Sequence, residues 1–289
     1  MLPIHLDLGF TQIYFYEGIY FLISIVLGIW WAKVRVEKYG GKSEKFEGLV
    51  VWSIVGALIG ARLSHYVFWQ SDVFFENPGV IFSPTGAGNS ITGGLVGGML
   101  GGYFYVKRNN MNYWEYFSLL SPGVLLGQAV GRIGCFLNGD AYGTATNSFL
   151  GVQFPRYATT IPSFETEYRL SSPSWESTTG LPGQTETLSA PVHPTQLYEM
   201  FGDVVLILIV LWVFKKIWDT DKKSPLIFFI HTGGYSLLRF GLEYIRADKE
   251  GITMFGMSNL QMALLLYGLF TIGYATKYFL NKRAKKGHK

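Results

Sequence analysis

Long apolar runs alternate with polar segments along the 289 residues of this chain. A helix that crosses the hydrocarbon core of a bilayer needs about 20 predominantly apolar residues. Seven stretches approach or reach this length: 13–32, 48–69, 90–106, 115–137, 196–214, 225–246 and 258–280. Short segments of alternating apolar and polar residues, which are typical of membrane β-strands, do not occur. The pattern predicts an all-α polytopic membrane protein with seven transmembrane helices.

Composition agrees with this prediction. Hydrophobic residues make up 49% of the chain and charged residues only 15%, whereas a soluble domain carries about 25% charged residues. No basic n-region precedes the first apolar run, so we expect no cleavable signal peptide. Cys135 is the single cysteine, which argues against a disulfide framework or a multi-cysteine metal site. We expect one transmembrane domain over residues 1–289, with no metal and no cofactor.

The distribution of basic residues predicts the orientation. Lysine and arginine cluster after the first, third, fifth and seventh apolar stretches, and the segments 70–89, 138–195 and 246–257 are poor in both. The positive-inside rule then predicts an N-terminus outside and a C-terminus in the cytoplasm. Segment 138–195, an insertion between the fourth and fifth spans, is too long for a simple turn and predicts a small extracytoplasmic lobe. The net charge of +4 reports this topology rather than nucleic-acid binding.

The third apolar stretch is rich in glycine. Its glycines recur at small-xxx-small spacing, which lets neighbouring helices approach closely. We therefore expect this helix to be central. The glycines are Gly93, Gly94, Gly97, Gly98, Gly101 and Gly102.

Nearly every ionisable residue within the predicted spans falls at one depth, the outer-leaflet third of the membrane. Each one alone could be an interface anchor whose charged end reaches water. Because charged residues inside a membrane are costly, their convergence favours a shared, water-accessible cavity. The residues are Glu17, Arg62, His65, Arg132, Glu199, Arg239 and Glu243.

Helical spacing pairs several of these side chains. Arg239, Glu243 and Arg246 share one helical face, and Arg62 and His65 share another. Glu243 could orient Arg239 toward a ligand phosphate, which a guanidinium group binds bidentately. Alternatively, Arg239 and Glu243 form a structural ion pair. An excess of arginines over acids in the cavity would suit an anionic phospholipid headgroup.

Two polar segments adjoin the predicted spans. Gly131–Gly143 contains Arg132, followed by Asn138 and Asp140, and has the character of an anion site at a membrane surface. His193–Glu199 opens the fifth span with a proline at the helix start, and its side chains can reach the same cavity or serve only to begin the helix. Its polar side chains are His193, Gln196, Tyr198 and Glu199. His231, near the opposite end of its helix, is interpreted as a packing residue.

These segments resemble the bacterial prolipoprotein diacylglyceryl transferase family. The resemblance rests on Phe15-Tyr16 with Tyr20, Gly60–Leu63, Gly88–Leu95, the signature-like Gly131–Gly143, His193–Glu199, and Arg239-Phe240 with Glu243 and Arg246. It implies transfer of the diacylglyceryl group of phosphatidylglycerol to the lipobox cysteine of an exported prolipoprotein, with release of glycerol phosphate. It also implies a bacterial inner-membrane location, the surrounding lipid bilayer as a partner, and no nucleic acid.

The resemblance implies roles for individual residues. Arg132 and Arg239 match arginines that are implicated in holding the lipid headgroup, and Tyr16 and Gly143 match functionally important positions. The catalytic candidates are Arg239, Glu243, Tyr16, Thr92 and His65. The substrate-binding candidates are Arg132, Arg62, Cys135, Asn138, Asp140, Gly143, His193, Gln196, Tyr198, Glu199 and Arg246.

Three positions depart from the family pattern. Thr92 stands where the family usually has histidine, Cys135 where it has asparagine, and Asp140 where it has glutamate. Threonine cannot act as a base at neutral pH, so His65 or Glu243 could compensate. Cys135 could be a small packing residue or a reactive thiol. An alternative hypothesis is a divergent paralogue that binds phospholipid or lipoprotein without the standard transfer, or that uses another acceptor. A transporter is disfavoured because the sequence has no internal repeat.

Overall fold

The computed structural model describes residues 4–7, 12–82, 90–156, 159–160, 173–247 and 256–287. Long helices coincide with the seven apolar stretches. They are α1 (Phe15–Lys38), α2 (Ser43–Trp69), α4 (Ile91–Arg108), α5 (Tyr113–Asn138), α7 (Thr195–Asp221), α8 (Leu226–Glu243) and α9 (Asn259–Gly287). The short helices are α3 (Ser71–Glu76) and α6 (Pro173–Ser177), with a 3-10 turn at Pro78–Phe82.

Three short strands were not predicted from the sequence. β1 (Ile4–Asp7) lies between β2 (Gln12–Tyr14) and β3 (Thr159–Thr160) in one small sheet. β1 pairs antiparallel with β2, where Leu6 lies opposite Ile13, and parallel with β3, where Ile4 lies opposite Thr159. The fold is therefore helical with a minor strand component.

Five helices within the described ranges are long and apolar enough to cross a membrane. They cover Ile19–Lys38, Ser43–Phe68, Tyr113–Asn138, Thr195–Asp221 and Leu260–Ala284. The chain is thus a multi-pass membrane protein. α4 and α8, at 18 residues each, lie at the other two predicted spans, and the count of seven spans stays a prediction.

Residues Ala32–Leu120 form one compact unit, in which α2 packs against α4. The two helices meet through glycines: a Cβ atom on Gly97 would overlap the carbonyl oxygen of Gly56, and one on Gly60 would overlap that of Gly93. Only helices without side chains at these positions can approach so closely. The close approach expected from the glycines of the third stretch is confirmed.

The second compact unit comprises Met1–Trp31 and Ser121–Lys289. In it α8 packs against both α7 and α9. His231 on α8 is buried, and its Nδ1 atom lies 2.7 Å from the hydroxyl oxygen of Ser121 on α5. This contact confirms His231 as a packing residue.

A small lobe lies between α5 and α7 in the same unit. Its core consists of Tyr142, Phe154 and Val192, with Phe136 from α5 and Val152 packed against it. Backbone bridges join Val152 to Val192 and Pro155 to Leu188. Because Phe136 belongs to α5, the packing of the lobe also positions the end of that helix.

Candidate active site: an arginine–carboxylate cluster

The segment Gly131–Gly143 changes from helix to loop at Asn138, the last residue of α5. Gly139 and Ala141 have φ angles of 77° and 52°, in the left-handed region where glycine is favoured. The amides of Gly139 and Asp140 both donate to the carbonyl of Cys135, at 3.0 and 3.2 Å. These bonds satisfy a carbonyl at the helix end that has no intrahelical partner and turn the chain sharply after Asn138.

The loop is held by the start of α7. The Thr195 hydroxyl donates to the carbonyl of Ala141 at 2.6 Å, and the Gln196 side-chain amide donates to the carbonyl of Asp140. Both side chains are buried, where an unsatisfied polar group is costly. His193–Glu199 therefore does more than begin a helix, because it fixes the loop that follows Arg132.

Gly143 lies between two other backbone segments. Its amide donates to the carbonyl of His193 at 2.8 Å, and the next amide, that of Thr144, donates to the carbonyl of Ile245 at 2.7 Å. A Cβ atom on Gly143 would lie 2.7 Å from both the Ile245 oxygen and the His193 Cβ atom. Gly143 also bridges to Arg246, which is buried. Only glycine fits where these three segments meet.

Glu199 is the centre of the charged cluster. Its side chain is 2% exposed, and its Oε1 atom lies 2.6 Å from Arg132 Nη2. The Tyr235 hydroxyl donates to the same oxygen at 2.8 Å. Its Oε2 atom lies 3.6 Å from Arg239 Nη1. One carboxylate from α7 thus joins an arginine of α5 to an arginine of α8.

Arg239 also contacts the acid one turn along its own helix. Arg239 Nη2 lies 3.2 Å from Glu243 Oε2, in the i,i+4 relation expected from the sequence, and the Glu243 side chain is 4% exposed. Arg239 therefore lies between two carboxylates. Ion pairs this enclosed are screened little by salt.

Two members of the cluster were missed in the sequence. Asp203 is fully buried one turn beyond Glu199, and neither of its carboxylate oxygens has a hydrogen-bond partner among the described residues. Tyr235 lies one turn before Arg239 on α8. The i,i+4 spacing on apolar helices would have identified both. With Asp203 counted, the described cluster contains two arginines and three carboxylates, so the excess of arginines over acids expected from the sequence is not found there.

The remaining candidates of this unit lie at the end of α5 or at the start of α7. Cys135 Sγ lies 3.9 Å from Arg132 Nη1, and the Asn138 side-chain amide donates to Asp140 Oδ2 at 2.9 Å. His193 Nδ1 lies 3.3 Å from the Tyr198 hydroxyl. Cys135 thus places a thiol against the arginine of the cluster.

Four candidates stay outside this geometry. Arg62 and His65 lie on α2, within the unit Ala32–Leu120. Tyr16 lies in α1 and Thr92 in α4, but their side chains, like that of Glu17, fall outside the described part of the structure. Their membership of a shared cavity stays a prediction. Within the described ranges no group of three or more His, Cys, Asp or Glu side chains is arranged to hold a metal ion.

Fold and site together define a multi-pass helical membrane protein that buries an arginine–carboxylate cluster where α5, α7 and α8 meet. The family model for prolipoprotein diacylglyceryl transferase matches residues 3–278, and the chain belongs to that family.

Several curated relatives carry the name phosphatidylglycerol–prolipoprotein diacylglyceryl transferase. A protein from Pseudomonas putida (strain W619) is 27% identical over 282 residues, covering 94% of this chain and 93% of the relative. One from Proteus mirabilis (strain HI4320) is 29% identical over 271 residues, covering 91% and 86%. One from Finegoldia magna is 29% identical over 254 residues, covering 87% of each.

Proposed function

We propose that this protein transfers the diacylglyceryl group of phosphatidylglycerol to the thiol of a lipobox cysteine in exported prolipoproteins, the first step of lipoprotein maturation. The observation that carries the proposal is the pair of arginines, Arg132 and Arg239, that contact the two oxygens of one buried carboxylate. Membership of the transferase family over residues 3–278 supports the same reaction.

The chemistry needs a cationic clamp. The thiolate form of the acceptor cysteine is the nucleophile, and it attacks the glyceryl carbon that carries the phosphate. A carbon–sulfur bond forms while the carbon–oxygen bond to phosphate breaks, and glycerol phosphate leaves with an additional negative charge. Guanidinium groups bind phosphate oxygens bidentately, so Arg132 and Arg239 stabilise the charge that builds on the leaving group.

The other candidates support the clamp or the acceptor. Glu243 contacts Arg239 from one turn along the same helix, so we propose that Glu243 orients the Arg239 guanidinium group. Tyr16, Thr92 and His65 are the other catalytic candidates of this proposal. The remaining substrate-binding candidates are Arg62, Cys135, Asn138, Asp140, Gly143, His193, Gln196, Tyr198 and Arg246.

We place the protein in the bacterial inner membrane with seven spans, the N-terminus outside and the C-terminus in the cytoplasm. The alternation of basic and non-basic connections supports this orientation. Residues 1–289 then form one transmembrane domain, and the insertion 138–195 faces outward. Arg132, Glu199 and Arg239 lie in the outer-leaflet third, where exported prolipoproteins and phosphatidylglycerol are both accessible.

A second candidate is a divergent family member that binds phospholipid or lipoprotein without the standard transfer. Thr92 in place of histidine, and the contact of Cys135 with Arg132 at 3.9 Å, favour it. Such a protein would bind the phosphate through Arg132 and Arg239 but would not transfer the diacylglyceryl group.

Complementation separates the two candidates. The full chain is expressed in a strain depleted of its own transferase, and the purified protein is incubated with phosphatidylglycerol and a lipobox peptide. The transferase restores growth and yields a thioether-linked peptide. Lipid binding without product would contradict the transferase and support the divergent binder.

A further inference from the structure

The carboxylate of Glu199 lies where an anion shared by Arg132 and Arg239 would lie. One of its oxygens contacts Arg132 at 2.6 Å, and the other faces Arg239 at 3.6 Å. The side chain is 2% exposed, so no bulk water screens these contacts. A lipid phosphate that binds the same Nη atoms of both guanidinium groups would therefore separate Glu199 from its cations.

We infer that Glu199 is the acceptor of the proton from the substrate thiol, and that binding of the lipid phosphate to Arg132 and Arg239 releases it for this role. The inference rests on the proposed function. In the resting protein the carboxylate is bound by two cations and one hydroxyl, so its oxygens are occupied. Once the phosphate has replaced it, Glu199 keeps, among the described contacts, the one with the Tyr235 hydroxyl, 2.8 Å from Oε1.

Asp203 makes it more favourable for Glu199 to accept a proton once the phosphate is bound. It lies one turn beyond Glu199 on the same face of α7, it is fully buried, and its oxygens have no hydrogen-bond partner among the described residues. Two neighbouring carboxylates without counter-ions favour sharing a proton. When the phosphate takes over the arginine contacts, Glu199 and Asp203 are left as a carboxyl pair that binds a proton.

The groups that contact Glu199, contact its two arginines or share its helix face come from three elements. The titratable and charged side chains are Arg132 and Cys135 on α5, Asp203 on α7, and Tyr235, Arg239 and Glu243 on α8. Of these, Glu243 stays paired with Arg239 on its own helix. Glu199 is the acid that the phosphate would deprive of its cations, and Asp203 already has no hydrogen-bond partner among the described residues.

The proposed step balances without a further reactant. The thiol proton passes to a Glu199 carboxylate oxygen, and the sulfur electron pair forms the bond to the glyceryl carbon. The electron pair of the breaking carbon–oxygen bond goes to the phosphate oxygen. Glycerol phosphate leaves, and Glu199 loses the proton to water as it pairs again with Arg132.

Glu199→Gln tests the inference because it keeps the shape of the side chain and cannot accept a proton. The full-length variant is assayed in nanodiscs for phosphatidylglycerol binding and for turnover with a lipobox peptide from pH 6 to 10. Glu47→Gln is the matched control, since the Glu47 side chain is exposed and bonds an exposed Lys33.

We expect Glu199→Gln to bind phosphatidylglycerol at least as tightly as the unchanged protein, because a competing anion is removed. Its turnover at pH 7 should fall by about 100-fold, within the usual contribution of a general base. Because a free thiol ionises near pH 8.5, its turnover should then rise about tenfold per pH unit up to that value. Glu47→Gln should match the unchanged protein throughout.

Two results would overturn the inference while the unchanged protein makes product: turnover of Glu199→Gln within threefold of normal, or a reduced turnover that does not rise with pH. Weaker lipid binding by the variant would also contradict it, because Glu199 would then assist the phosphate rather than compete with it. Failure of the unchanged protein to make product would instead contradict the proposed function.

Discussion

Arg132 contributes a single guanidinium group to the cluster, yet it meets Glu199, Cys135 and, in the proposed complex, the lipid phosphate. We expect Arg132→Ala and Arg239→Ala each to lower phosphatidylglycerol-dependent turnover by at least about 100-fold, since each removes half of the clamp. Purified variants are assayed with a lipobox peptide, and Arg283→Ala, an exposed position on α9, is the control.

Folding has to be measured beside the activity of the arginine variants. Removing one partner of a buried ion pair leaves an uncompensated charge and costs about 3–5 kcal/mol. Thermal unfolding in detergent therefore accompanies the assay. Near-normal turnover in both variants would rule out the clamp, and a loss that tracks unfolded protein would leave Arg132 a purely structural role.

The close packing around position 143 requires glycine. In Gly143→Ala the new methyl group would lie 2.7 Å from the His193 Cβ atom and the Ile245 oxygen. Overpacking of this kind costs about 1–3 kcal/mol, so we expect a lower midpoint of thermal unfolding. Gly131→Ala is the matched control within the same segment, because the nearest described atom outside its own helix backbone would be the Ser24 hydroxyl oxygen, at 3.9 Å. Equal midpoints for the two variants would contradict the packing role.

Several site residues could be predicted from the sequence because they are polar groups on apolar helices. Arg132, Glu199, Arg239 and Glu243 stood out in this way, and the structure brings them together. Asp203 and Tyr235 were missed although they repeat the i,i+4 spacing. The i,i+3 spacing of Arg132 and Cys135 puts both on one helical face, but the 3.9 Å contact between them depends on side-chain directions that only the structure gives.

At the scale of elements, the packing of α2 on α4 depends on glycines. A methyl group on Gly97 would overlap the carbonyl oxygen of Gly56 on the other helix. We expect Gly97→Ala to separate α2 from α4 and to lower the unfolding midpoint, because close helix contact is the main attraction between helices in lipid. Gly273→Ala on α9, where no described atom outside the helix's own backbone lies within 4 Å of the new carbon, should unfold at the midpoint of the unchanged protein. A midpoint for Gly97→Ala equal to that of the control would contradict this account.

The helix positions were well predicted, and their ends less so. The apolar stretch 13–32 predicted the first span, but α1 continues to Lys38, and α9 continues to Gly287. An apolar run marks the part of a helix that lipid surrounds, whereas hydrogen bonding carries the helix on into polar residues. The strands were missed because β1 pairs with β3, more than 150 residues away in the sequence, and short strands depend on such distant partners.

At the scale of the whole molecule, the orientation is the prediction with the widest consequences. Alkaline phosphatase, which is active only outside the cytoplasm, is fused after Thr187 in the lobe or after Lys223 beyond α7. We expect activity from the first fusion and none from the second, because lysines and arginines follow the odd-numbered spans. Activity from the Lys223 fusion would contradict the orientation and move the site to the other leaflet.

How the three parts of the site meet could not be predicted from the chain alone. The loop after α5, the start of α7 and the segment after α8 are joined by backbone hydrogen bonds at Gly143 and Thr144. Such contacts carry no periodic pattern, so the sequence holds no local trace of them. The family resemblance supplied the chemistry of the reaction, and the structure supplied the central position of Glu199.

The most direct test of the central claim is mass spectrometry of a lipobox peptide after incubation with the purified protein and phosphatidylglycerol. We predict a peptide whose cysteine has gained one diacylglyceryl group through a thioether, together with an equal amount of glycerol phosphate. Replacing phosphatidylglycerol by phosphatidylcholine, or the acceptor cysteine by serine, should remove the product. An unmodified peptide in the presence of bound phosphatidylglycerol would contradict the transferase assignment.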